Sequence, residues 1–242
     1  MGILRAMSTS PALALLRAAH PRQALSVAAA VAAAAAVAGR PLREVALVAA
    51  TVLVGQAIVG WAATLSDGRR SEPGRATGSP EEPRDADPLD RGNVWFALAC
   101  AVLLVVPLAV ANGRLAAAAY LTLVAVLAVG NRLLGATLLS FAPWSVAFAL
   151  YPAFLAYGGW NGSGTTTPPT PVLVGLGAAL GLGVHVLLAL PGLVRDHALG
   201  RRSLPLRLAL RTGTPRLLVI ASTWTAVVVV AILIAGRTVG LT

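Results

Sequence analysis

Residues 172–208 read VLVGLGAALGLGVHVLLALPGLVRDHALGRRSLPLRL. The first half, residues 172–190, is apolar apart from His185. Such a run matches the ~20 residues that carry a helix across the hydrocarbon core of a bilayer. The second half turns abruptly polar. It holds Asp196, the only acidic residue after Asp90, framed by Arg195, Arg201, Arg202 and Arg207. An acid set among arginines at the water end of an apolar helix suits a metal-bound diphosphate. Guanidinium forks match phosphate oxygens in pairs, and a carboxylate is a hard oxygen ligand for Mg²⁺.

The same alternation of apolar run and polar connection recurs along the chain. Six further runs fall at about residues 24–38, 45–65, 94–110, 115–129, 138–157 and 217–235. With residues 172–190 they predict about seven spans in an all-α, polytopic transmembrane helical bundle. Composition agrees: 57% of the 242 residues are hydrophobic and 12% are charged, about half the charge of an average soluble domain. The runs are continuous rather than alternating, which excludes a membrane β-barrel. Residues 1–22 carry Arg5, Arg17 and Arg22 before an alanine-rich run with no short apolar core ending at a cleavage site, so the run reads as a retained span rather than a signal peptide.

The net charge is +10, carried by 19 arginines and no lysine. In a membrane protein such a balance sets orientation and meets anionic lipid, so no nucleic-acid partner is expected. With the N-terminus cytoplasmic, fifteen arginines fall in inside segments and Arg40, Arg43, Arg114 and Arg237 fall outside. That asymmetry predicts an N-in protein of the plasma (inner) membrane. It puts two long cytoplasmic loops, 66–93 and 192–215, on one side of a single transmembrane domain. The first is rich in Pro, Gly, Ser and charge and reads as flexible. Its acids from Glu81 to Asp90 read as a solvated surface. Cys100 is the only cysteine; it allows no internal disulfide and is expected to pack as a small apolar group. Gly177 and Gly181 form a GxxxG that predicts close helix packing. His185 is expected to hydrogen-bond to a neighbouring helix. No P-loop and no GxSxG occurs.

The pattern LPxLxxDxxxGxRxLPxRL over residues 190–208 resembles the second aspartate-rich loop of the UbiA-type intramembrane prenyltransferases. That family usually carries an aspartate where Gly192 stands and another at the position of Asp196. Three other stretches join the resemblance. Gly55-Gln56 and Gly60-Trp61 stand where the family has Gly-Gln and Gly-Trp. Asp67 then falls on one aspartate of its first aspartate-rich loop, with Ala63, Thr64 and Ser71 at the other polar positions. Asp87-Pro88-Leu89 stands where Lys-Pro-Leu is usual. Asn131, Thr137, Ser140, Pro143, Ala147, Phe148 and Pro152 follow a mid-chain family pattern. Residues 15–21, LLRAAHP, look like the entry to its first helix.

The resemblance implies a UbiA-like bundle with its site at the cytoplasmic mouth. There Asp67 and Asp196 would hold Mg²⁺ and carry catalysis. Gln56, Asn131, Arg132, Arg195, Arg202 and Arg207 would bind a prenyl diphosphate, whose prenyl group passes to a small aromatic or lipid-like acceptor. The family has nine spans, two more than the seven read here, which leaves room for helices from a partner chain. One carboxylate per loop also fits a second expectation: a catalytically degenerate relative that binds lipid or prenyl diphosphate without turnover. A small transporter is a third, but the spans are almost free of charge.

Overall fold

The computed structural model describes residues 10–68, 90–159 and 167–238. Of Pro11, Asp67, Gly68, Arg237 and Thr238 only the backbone course is described. Every regular element among these residues is helical: α1 (Pro11–Ala18), α2 (Pro21–Val37), α3 (Leu42–Gly68), α4 (Arg91–Ala111), α5 (Arg114–Leu134), α6 (Ala142–Tyr157), α7 (Pro171–Ala189), α8 (Leu193–Ala198), α9 (Leu204–Thr212) and α10 (Thr214–Thr238). Single 3₁₀ turns precede α6 (Leu138–Phe141) and α8 (Leu190–Gly192). Prolines mark the starts. α1, α2, α6, α7 and α9 each carry one in the first two positions, where the missing N–H removes no intrahelical bond.

Six helices are long and apolar enough to cross a membrane: Leu42–Ser66, Arg91–Ala111, Arg114–Leu134, Leu138–Tyr157, Pro171–Ala198 and Thr214–Gly236. The expected first span is the exception. α2 has 17 residues, about 25 Å of helix at ~1.5 Å per residue, short of the ~30 Å hydrocarbon core. It packs along α3 as an alanine-rich buttress, with Ala24, Ala28, Val31 and Ala35 buried.

The long helices pack neighbour to neighbour from α2 to α7; α3 also touches α5, and α10 lies against α7. The main core lies among α2 to α6 and includes Val48, Val52, Tyr120, Leu123, Leu127, Ala147 and Phe154. The Tyr120 and Phe154 rings meet at 4.9 Å between centroids. A smaller core of Val186, Leu217 and Ala221 joins α7 to α10, with Leu208 and Ala209 of α9 packed against it. The outer faces of α4 and α10 stay apolar and exposed, through Phe96, Leu103, Val219 and Val227 among others. Cys100 belongs to the exposed face of α4, a correction to the expectation that it packs as a small apolar group.

α6 and α7 cross where the GxxxG falls. A Cβ on Gly177 would stand 2.5 Å from the Phe148 carbonyl oxygen, and one on Gly181 would stand 2.8 Å from the Trp144 carbonyl carbon. The missing side chains let α7 lie directly on the α6 backbone, as small residues do at membrane helix contacts. At the other end of α6, Arg40 reaches over from the α2–α3 turn. Its Nη2 donates to the carbonyls of Leu155 and Gly158, the latter at 2.6 Å, while Nη1 is buried without a hydrogen-bond partner. The Leu155 carbonyl otherwise takes only the Gly158 N–H, at 3.3 Å, and the last carbonyls of a helix have no i+4 donor, so Arg40 closes the C-terminus of α6. Burial holds its pKa below the usual arginine value, with Glu44 acting in the opposite sense.

Most of the loop expected at 66–93 lies outside the described residues. Its borders are helical: α3 runs on to Gly68, and Asp90 caps α4 by accepting from the Gly92 N–H at 3.1 Å. The connection expected at 192–215 contains the two short helices α8 and α9.

Candidate functional site

The arginine-rich end of the bundle is where α3, α5 and α7 finish. A pocket of about 100 Å³ opens there, lined by Val59, Ala63 and Ser66 of α3, Leu127, Ala128, Asn131 and Arg132 of α5, Gly135, and Arg201. Its mouth is polar and cationic. Its inner wall is apolar.

Local sequence explains how Arg201 arrives. α8 ends at Ala198, and Gly200 takes a left-handed φ of +64°. The Gly200 N–H then bonds the His197 carbonyl at 3.0 Å and the Arg201 N–H bonds the Asp196 carbonyl at 3.0 Å. This is the Schellman arrangement, which closes a helix with glycine just past its end. It folds Arg201 back over the last turn, where Nη1 donates to Asp196 Oδ1 at 2.9 Å. Both side chains are mostly covered, at 17% and 16% exposure. Asp196 therefore aims Arg201 at the pocket.

The connection is fixed to the bundle at two further points. The Arg202 N–H donates to the Ala136 carbonyl at 2.9 Å, beside the pocket rim. The Leu204 N–H donates to Ser140 Oγ at 3.2 Å, and His185 Nε2 lies 3.1 Å from the same oxygen. Ser140 is fully buried. Having accepted from Leu204, its hydroxyl still has a proton for a neutral His185 Nε2. One serine thus joins the turn before α6, the end of α7 and the start of α9. The expectation that His185 bonds across helices is met here.

Of the residues proposed from sequence, Asn131 and Arg132 line the pocket. Asp67 lies at the end of α3, directly after pocket residue Ser66, with its side chain outside the described residues. Asp196 touches the pocket through Arg201. Gln56 sits deeper in α3, almost fully buried, and donates to the Tyr151 hydroxyl at 3.2 Å. Arg195, Arg202 and Arg207 are exposed, and none lines the pocket. Of the four arginines from Arg195 to Arg207, Arg201 is the one that lines the pocket. The signal was present in Gly200, whose helix-ending role selects the next residue to fold back. Gly60 and Trp61 hold the first helices in place: the Ala19 backbone fits against Gly60, and Trp61 Nε1 donates to the Leu15 carbonyl at 3.0 Å.

Among the described residues no three His, Cys, Asp or Glu side chains gather as a metal site. The carboxylate of Asp196 is held by Arg201. Its hard oxygens, with those of Asp67, are of the kind Mg²⁺ takes, and Mg²⁺ often uses only one or two carboxylates; Arg201 bonds Oδ1 of Asp196, so Oδ2 is the oxygen that would meet the metal. Comparison with protein-family models, with curated proteins and with solved structures gives no match.

Proposed function

We propose that this chain is a membrane-embedded prenyltransferase of the UbiA type, which seats the diphosphate of a prenyl diphosphate in the arginine-rich mouth. One observation carries the reading: Arg132, Arg201 and Asn131 meet at the rim of a pocket whose inner wall is Val59, Ala63, Leu127 and Ala128. A cationic rim over an apolar wall matches a ligand with an anionic head and a hydrocarbon tail. The pocket takes a phosphate-sized group, so the tail runs outward along the apolar helices. Placing the arginine-rich end in the cytoplasm, as the distribution of arginines favours, puts the mouth where soluble diphosphates arrive.

In the reaction the allylic carbon–oxygen bond breaks and its electron pair leaves on the pyrophosphate. A small acceptor, aromatic or lipid-like, then bonds to the allylic carbon and loses the proton from its attacking atom to the released pyrophosphate or to water. The pair of guanidiniums faces the oxygens on which charge develops, and fixed donors aimed at developing charge are a major source of catalysis. Asn131 offers an amide donor to orient the head group. Asp67 and Asp196 would hold Mg²⁺, which would supply further neutralisation of the leaving group. Asp196 also positions Arg201.

A second reading is favoured by the Asp196–Arg201 ion pair: the chain holds the diphosphate without turning it over, because its one described carboxylate at the mouth is already engaged. Pyrophosphate release separates the two. The purified protein with Mg²⁺, a set of prenyl diphosphates and candidate acceptors should release pyrophosphate, and Asp196→Ala should abolish release. Saturable binding with no release would establish the second reading. Neither binding nor release would remove both.

A further inference from the structure

We propose that α9 and the arginines around it form a docking surface for the headgroups of anionic membrane lipids. This rests on features separate from the pocket. α9 reads LPLRLALRT and is strongly two-faced. Pro205 and Leu206 are buried, and Leu208 and Ala209 pack against the small core of Val186, Leu217 and Ala221. That face pins the helix across the ends of α7 and α10. The opposite face presents Arg207 and Arg211, one turn apart and both exposed, with Leu210 66% exposed beside them.

Position fixes what this face meets. Gly213, with φ of +80°, turns α9 directly into α10, which is long and apolar enough to cross a membrane. α9 therefore lies at the level where such a helix enters the bilayer. Arg202 stands just before α9 and Arg216 in the first turn of α10, both exposed. No acidic residue follows Asp196 in the sequence, so this segment carries no acid of its own against these four guanidiniums. Basic amphipathic helices at an interface bind anionic lipid through combined apolar and electrostatic contact. Guanidinium forks suit phosphate oxygens.

The occupant is a phospholipid rather than free phosphate. Beyond Arg216 the outer side of α10 continues with exposed Leu218, Val219 and Ile220. Acyl chains have an apolar track there, directly below the guanidiniums that take the headgroup. Inorganic phosphate has no use for that track or for Leu210.

The test uses the intact protein in detergent, with short-chain phosphatidylglycerol and phosphatidylcholine as probes and bound lipid counted by native mass spectrometry. The wild type should retain phosphatidylglycerol over phosphatidylcholine. Arg207→Gln/Arg211→Gln should lower phosphatidylglycerol affinity roughly thirtyfold, at about fivefold per arginine near a membrane surface, and leave phosphatidylcholine unchanged. Arg207→Lys/Arg211→Lys should keep most of the preference. Both arginines are exposed, so an unchanged thermal unfolding curve should show that the fold survives. Equal retention of the two lipids by the wild type, or undiminished phosphatidylglycerol binding by the glutamine variant, would overturn the proposal. So would displacement of the lipid by millimolar inorganic phosphate, which would mark a free-anion site. A negative result would leave the prenyl diphosphate pocket untouched, since none of these four arginines lines it.

Discussion

Gly181→Ala is the sharpest test of how the bundle is held. The new Cβ would fall 2.8 Å from the Trp144 carbonyl carbon and 2.9 Å from Phe148 Cβ, against an ordinary contact of 3.4–4 Å. The Trp144 carbonyl oxygen is nearer still, so α7 must move off α6 by more than the ~0.6 Å shortfall at the carbonyl carbon, and this obstacle is backbone that cannot rotate away. Overpacking of this kind costs about 1–3 kcal/mol. Against it stands the gain of about 0.5–1 kcal/mol from replacing glycine by alanine inside a helix. The net effect is a loss of up to about 2.5 kcal/mol, and Gly177→Ala should add a similar loss. Gly175→Ala is the internal control. It lies in the same helix, but its Cβ would meet nothing within 4 Å, so only the helix gain remains. Thermal unfolding in one detergent should rank Gly175→Ala at or above wild type, Gly181→Ala below it, and the double variant at 177 and 181 lowest. Equal stability of Gly175→Ala and Gly181→Ala would refute the close α6–α7 contact.

Ser140→Ala should leave the Leu204 N–H and His185 without their shared partner, at about 1–3 kcal/mol for a buried unsatisfied group; amide exchange should quicken at the start of α9 before the core of α3 or α5 responds. Gly200→Ala should strain the left-handed residue that closes α8 by about 1–2 kcal/mol. It should also weaken prenyl diphosphate binding through Arg201, which a binding isotherm would show without loss of helical content. Arg40→Gln removes charge-assisted bonds to the Leu155 and Gly158 carbonyls, each worth about 1.5–3 kcal/mol. Burial lowers the pKa of Arg40, yet arginine stays protonated at any working pH. The loss in unfolding stability should therefore be the same at pH 6 and pH 8.

The helical membrane-type bundle was legible because long apolar runs broken by arginine-rich connections have few other solutions. The run at residues 24–38 forms a helix of 17 residues; its alanines favour helix without fixing how far it reaches across a bilayer. The exposure of Cys100 is hidden in the sequence for a related reason. α4 is apolar all round, and in a membrane helix hydrophobicity does not separate the packed face from the outer one. Asn131 and Arg132 line the pocket because they sit at the end of α5, where the family-like pattern begins. Sequence alone does not separate Arg201 from Arg195, Arg202 and Arg207, and only Arg201 lines the pocket. Charge is equal at all four, and only the Gly200 turn decides which one folds back. The Ser140–His185–Leu204 junction joins residues 45 and 64 positions apart, and such pairings are invisible to spacing. Gln56 reads alike in sequence whether it faces a ligand or Tyr151.

The central claim is that the arginine-rich mouth receives a diphosphate, and binding of a prenyl diphosphate to the intact protein tests it most directly. Titration calorimetry with geranylgeranyl diphosphate should give a saturable isotherm for the wild type. Arg201→Gln should weaken it about tenfold or more, the loss of a charged hydrogen bond of about 1.5–3 kcal/mol. Arg114→Gln, exposed at the opposite end of the bundle, should leave it unchanged. An absence of saturable binding, or equal losses for Arg201→Gln and Arg114→Gln, would contradict the account.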